Sequence, residues 1–122
     1  MELAVFGSGN MSNRLVDWLV SDDLKSCSLV HWGDYDPCGV LEYLRLAERC
    51  PDRTSSFVPD HIDSLLENGQ RELLLRQKDF LNKLRTKTAD IHVARMVALF
   101  DKHRKALDQE GLLDGNPARP MS

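Results

Sequence analysis

Two aspartates one residue apart, Asp34 and Asp36, stand where an apolar run ends, in the stretch Val30-His31-Trp32-Gly33-Asp34-Tyr35-Asp36-Pro37-Cys38-Gly39. The run from Ser28 to Trp32 has the length and composition of a strand. Gly33 breaks it, and Pro37-Cys38-Gly39 leads into a helical pattern. Carboxylates at i and i+2 project to the same side of an extended backbone. Where a buried strand ends, Asp34 and Asp36 would therefore meet at one point, and two anions so close are costly without a positive charge between them. A hard divalent cation, Mg2+ or Mn2+, answers that need, because Mg2+ is commonly held by one or two carboxylates plus water and substrate phosphate. The competing reading is a pair of solvated turn formers capping the helix after Pro37.

Other residues carry weaker signals. Gly7, Ser8 and Gly9 follow a second apolar run and could offer backbone N–H groups to a phosphate near the next helix start. An ordinary strand-to-helix turn explains them equally well. Gly33 and Gly39 suit tight backbone geometry better than ligand contact. His31 alternates with Trp32 inside a strand and reads as a packed histidine, while His61, His92 and His103 have no partner at metal-ligand spacing. Trp18 and Trp32 read as core residues rather than base-stacking platforms. Cys27, Cys38 and Cys50 are odd in number and lack close pairing, which argues against a disulfide framework or a zinc site and leaves free thiols.

The elements that must position these groups follow from periodicity. Residues 2–6 form a short strand, and a helix runs from about Ser12 to Leu19 with Ser12 as its N-cap and Leu15, Trp18 and Leu19 on one face. After the strand at 28–32, Val40, Leu41, Leu44 and Ala47 recur at helical spacing up to Arg49. Ser55 to Val58 offers a third strand. Asp60 is placed to cap a helix containing Ile62, Leu65 and Leu66, which stops at Asn68-Gly69. One long amphipathic helix is expected from Arg71 to Leu84, and a final helix from Ala89 to Leu107. Strand–helix–strand–helix–strand in the first 60 residues predicts parallel βαβ units, so the class is α/β with a helical carboxyl-terminal part. Ligands collect beyond the carboxyl ends of such strands, which puts the Gly7-Ser8-Gly9 and Asp34/Asp36 loops on one rim.

The 122 residues suffice for a single domain that buries roughly 65% of its unfolded surface. Hydrophobic residues make up 42% and charged residues 29%, as in ordinary globular proteins. No apolar run approaches membrane-spanning length and no signal-peptide pattern follows Met1, so a cytoplasmic address is expected. A net charge of −3 lacks the excess of Lys and Arg usual in a free-standing nucleic-acid binder. The local clusters Arg71–Lys87 and Lys102–Lys105 are interleaved with acids and read as solvated helix faces.

Trp-Gly-Asp-Tyr-Asp-Pro-Cys-Gly (32–39), leading into Leu41-Glu42-Tyr43-Leu44-Arg45, resembles the Toprim domain of the nuclease subunit in Wadjet-type bacterial anti-plasmid systems, a relative of the cleavage subunit of type IIB topoisomerases. Ala4-Val5-Phe6-Gly7-Ser8-Gly9, Phe57-Val58-Pro59-Asp60 and Leu107-Asp108-Gln109-Glu110-Gly111-Leu112 are similar to further segments of that family in the same order. The likeness spans residues 3–113. It implies a Toprim-like, Rossmann-like small parallel sheet over residues 1–114; the tail at 115–122, with two prolines and no apolar periodicity, reads as disordered. It also implies phosphodiester cleavage of double-stranded DNA with Mg2+ or Mn2+, with Asp34 and Asp36 as metal ligands and Glu110, beside Gln109, as an additional acid. A chromosome-maintenance-like ATPase complex is the partner it suggests.

The family also needs a glutamate on a strand upstream of the Ala-Val-Phe-Gly segment. Here the chain opens Met1-Glu2-Leu3, and Glu2 would begin its strand at the wrong edge of the sheet. The expectation is a carboxyl-terminal fragment, or a split or decayed protein, deficient in catalysis alone. Its uncovered sheet edge invites homodimerisation. A non-catalytic Toprim remnant that binds DNA or another subunit is the alternative. A small phosphoryl-transfer enzyme of the haloacid type comes third, because that motif expects Thr or Val where this chain has Pro37-Cys38-Gly39.

Overall fold

The computed structural model describes residues 11–108 in full and residues 2–7 by their backbone. At its centre lies β2 (Ser28–Gly33), flanked by β1 (Glu2–Gly7) and β3 (Thr54–Ser56), both parallel to it. Along β2, Leu29 and His31 are buried while Val30 is half-buried and Trp32 is 37% exposed, the alternation of a strand with one well-covered face. Gly7 stands opposite Gly33 and Ser56 opposite His31, so the three strands end at a common carboxyl rim. The predicted α/β architecture, a small parallel sheet flanked by helices, is what forms.

Two helices cover the Leu29 face. In α1 (Asn13–Leu19), Ser12 accepts from Leu15 N–H at 3.1 Å as the N-cap. The buried side chains of that helix are Val16 and Leu19, which join Met11, Leu29 and Leu46 in one apolar cluster. In α2 (Pro37–Arg49) Pro37 occupies the first turn, where its missing N–H costs nothing. Polar staples fix the start of α1 on α2: Glu42 accepts from Met11 N–H at 3.0 Å, and Arg45 donates to the Met11 carbonyl at 2.6 Å and to Asn13. Arg53 likewise gathers the carbonyls of Leu19, Leu24 and Cys27.

The other side of α2 faces a helical layer made of α3 (Ile62–Glu67), α4 (Arg71–Arg76), α5 (Lys78–Leu84) and α6 (Ile91–His103). Val40 and Leu44 pack there with Ile62, Leu66, Leu84, Val93, Met96 and Phe100. Burying each such side chain stabilises by roughly 1.5–3 kcal/mol. Asp90 caps α6 through Val93 N–H at 3.1 Å, and Arg104 ends it in the left-handed region at φ 55°.

Several boundaries differ from expectation. The predicted helix from Arg71 to Leu84 is two short helices broken at Gln77, whose side chain is drawn to the Asp36 loop. The last helix stops at His103, because Ala106 and Leu107 leave it to form antiparallel bridges with Gln70 and Tyr35. Asp60 does not cap α3; His61 holds the cap position without a side-chain hydrogen bond. Leu15 and Trp18 face outward at 37% and 52% exposure; of the predicted α1 face only Leu19 is buried, and Val16 is its partner. Neither tryptophan is a core residue: Trp32 stacks against Phe57 with ring centres 4.7 Å apart, and both are part-exposed.

Candidate functional site

The acidic loop is tied down from both sides. Tyr35, between the two aspartates, is buried and exchanges backbone hydrogen bonds with Leu107 at 2.7 and 2.9 Å. Its hydroxyl donates to the Phe57 carbonyl at 3.0 Å. A three-residue turn is thereby fixed to the ends of β3 and of the helical layer. Gly39 makes this possible: a Cβ there would be driven into the Asp34 carbonyl oxygen, so only glycine lets the first turn of α2 lie against the loop.

Asp36 is buried at the N-terminus of α2. One carboxylate oxygen accepts from Gly39 N–H at 2.7 Å, as an N-cap. The other accepts from Gln77 Nε2 at 3.1 Å, while Gln77 Oε1 takes Cys38 N–H at 2.8 Å. Burial pushes the Asp36 carboxyl above the usual aspartate range. The Gly39 and Gln77 hydrogen bonds oppose that shift, and the charges of Asp34 and Asp108 add to it. Cys38 is raised too, by burial and by Asp36, Glu42 and Asp34, so its thiol is not an activated thiolate.

Behind the loop, a cavity of about 10 Å3, no larger than one water requires, is lined by His31, Asp34, Tyr43, Ser56 and His92 among others. His31 and His92 are both lowered to about 4 by burial. Among the described residues, Nε2 of His31 and Oγ1 of Thr54 meet no hydrogen-bond partner. Tyr43 donates to Asp90 at 3.0 Å and meets His92 edge-to-face at 4.6 Å.

The register of Gly7 with Gly33 brings the end of β1 level with the start of the Asp34 loop. Asp34 and Asp36 act on each other electrostatically, and Asp108, carried in by the Leu107–Tyr35 bridge, joins them. Glu110, Ser8 and Gly9 lie outside the described residues. Among the described residues no group of three or more His, Cys, Asp or Glu is arranged to hold a metal ion. Sequence reading missed Gln77 and Asp108. Asp108 belonged to the Leu107–Leu112 string already singled out, whereas nothing in a helix-periodic stretch marks Gln77. Cys27 is buried, and Cys38 and Cys50 are half-buried. No helix among the described residues is long and apolar enough to cross a membrane.

A family model described as a domain of unknown function (DUF7281) matches residues 3–117. No curated protein and no solved structure matches the chain.

Proposed function

This chain belongs to the DUF7281 family, whose function is unknown, and from the geometry of its acidic loop we propose that it is a Toprim-like module of a metal-dependent DNA endonuclease. The resemblance to the Wadjet nuclease subunit and the gathering of carboxylates at the carboxyl rim of a parallel sheet support that reading. The single observation that carries it is Asp36, buried at the carboxyl rim, its carboxyl raised first by that burial and further by the charges of Asp34 and Asp108. A cation would relieve that like-charge pressure.

The residues fit a cation held loosely, by Asp34 and Asp36 with water and a substrate phosphate, rather than one in a closed protein cage. Such an ion supplies charge stabilisation to the oxygens of a phosphodiester undergoing cleavage. The protein's share is to fix the loop through Tyr35, Gly39 and Gln77. On this reading double-stranded DNA is the substrate, a chromosome-maintenance-like ATPase complex is the partner, and a glutamate supplied from elsewhere completes the site, so that the chain alone is deficient in cleavage.

One observation favours a second reading, a non-catalytic module that binds DNA or another subunit. Both oxygens of Asp36 already serve as hydrogen-bond acceptors inside the protein. Calorimetric titration with Mg2+ and with Mn2+ tests the first reading, using wild type, Asp34→Ala and Asp36→Asn. Saturable heat that disappears in Asp34→Ala is expected. Identical heats in all three proteins would remove the metal and the nuclease together. Metal-independent DNA retention with no ion binding would instead support the second reading.

A further inference from the structure

A groove of about 590 Å3 opens between α4, α5 and α6, and it shares no lining residue with the acidic loop. Its floor is apolar, formed by the buried Leu74, Leu81 and Phe100, and Leu75 stands at its lip with 61% of its surface exposed. Leu74 and Leu81 are buried in the helical core, whereas the described residues leave most of Leu75 uncovered.

The rim carries three arginines, Arg71, Arg85 and Arg104, against a single carboxylate, Asp101. Arg85 holds Asp101 through two hydrogen bonds at 2.8 and 2.6 Å, and the charge of Arg104 bears on the same carboxylate. Arg71 forms no salt bridge with any described residue. The groove is thus locally cationic in a chain whose formal net charge is −3. The left-handed turn at Arg104 ends α6 at this rim.

We propose that this groove docks an acidic amphipathic helix of a protein partner. An apolar anchor of leucine size would lie over Leu75 and the floor, and carboxylates on either side of it would meet Arg71 and Arg104. Charge and apolarity together select that occupant. A nucleic-acid backbone matches the arginines but leaves the floor without an apolar partner and confronts Asp101. A purely apolar ligand leaves the arginines unused. Helix-in-groove recognition uses anchors at i and i+4 on one helix face, which suits a cleft walled by helices. The proposal does not depend on the metal site and survives its failure.

Fluorescence anisotropy of the full chain tests it, with a labelled synthetic helical peptide bearing leucines at i and i+4 and glutamates beside them. Saturable binding is expected, weakened about tenfold or more by R71E/R104E and by L75E, since reversed rim charges and a charged lip oppose the same ligand. All three residues are exposed, so the variants should keep the wild-type circular dichroism. Arg95→Glu, exposed and outside the groove, should bind as wild type. Equal binding of a peptide with lysines in place of the glutamates would overturn the proposal, as would no saturable binding to the wild-type chain. Displacement of the peptide by a DNA oligonucleotide that itself depends on Arg71 and Arg104 would also overturn it, in favour of a nucleic-acid surface.

Discussion

Gln77 grips the N-terminus of α2 with both ends of its amide, donating to the Asp36 carboxylate at 3.1 Å and accepting Cys38 N–H at 2.8 Å. Those two bonds coincide with the break that divides α4 from α5. A local interruption of a helix is thus offset by satisfying a buried carboxylate and a part-buried helix-end N–H at once. The helical layer and the acidic loop are held in one register by this side chain.

Replacing Gln77 by Ala removes the hydrogen bonds it makes to the Asp36 carboxylate and the Cys38 N–H. A loss of about 1–3 kcal/mol is expected in urea unfolding, the usual cost of orphaned buried polar groups. Gln77→Glu should cost more at neutral pH than Gln77→Ala, because it sets a second carboxylate against Asp36, and the difference should shrink as pH falls.

Gly39→Ala drives a methyl group into the backbone carbonyl of Asp34. Overpacking of this kind costs roughly 1–3 kcal/mol. The variant should unfold at lower urea, and its backbone amide shifts should move at Asp34–Gly39 and at Leu107, which pairs with Tyr35. A change confined to α2 would contradict the close approach described above.

Burial lowers both His31 and His92 from 6.5 to about 4. The unfolded chain then binds more protons than the native one between those values, so stability is whole above about pH 6.5 and falls as pH drops towards 4. For His31, 2% exposed, the upper bound is about 3 kcal/mol. His31→Phe removes the orphan Nε2 and should be at least as stable as wild type at neutral pH, with a shallower loss on acidification. An unchanged pH slope would mean that His31 is solvated in the folded protein.

Asp90 serves two partners, Val93 N–H and the Tyr43 hydroxyl. Tyr43→Phe removes a hydrogen bond to a carboxylate and should cost about 1.5–3 kcal/mol. Asp90→Ala removes the α6 cap as well, worth about 1 kcal/mol in its own right. The second variant should therefore be the less stable in thermal unfolding, and the reverse order would deny the cap its role.

Much of this protein is legible without coordinates where the signal is local. The Ser28–Gly33 strand, the α2 helix from Pro37 to Arg49 and the Ser12 cap are written in apolar spacing, proline and side-chain oxygen placement. The Asp34-Tyr35-Asp36 turn announces itself because paired acids after an apolar run are chemically conspicuous. On α1 the spacing identifies Leu19 but selects Leu15 and Trp18 in place of Val16, since either set satisfies helical periodicity beside it. Periodicity gives a stripe but does not say which neighbour is there to cover it.

By itself, then, the sequence determined a parallel α/β unit and an acidic turn at its carboxyl rim. Only the tertiary structure decided how that turn is held: Gln77 out of a helix, Leu107 out of the end of another, and Gly39 as the point of contact. The reason is physical. Strand and helix signals arise between residues a few positions apart, whereas the partners of Asp36 and Tyr35 lie 41 residues and some seventy residues along the chain. Which distant polar group satisfies a buried one is settled when the layers pack, because burial makes an unpaired carboxylate or N–H costly enough to bend a helix towards it.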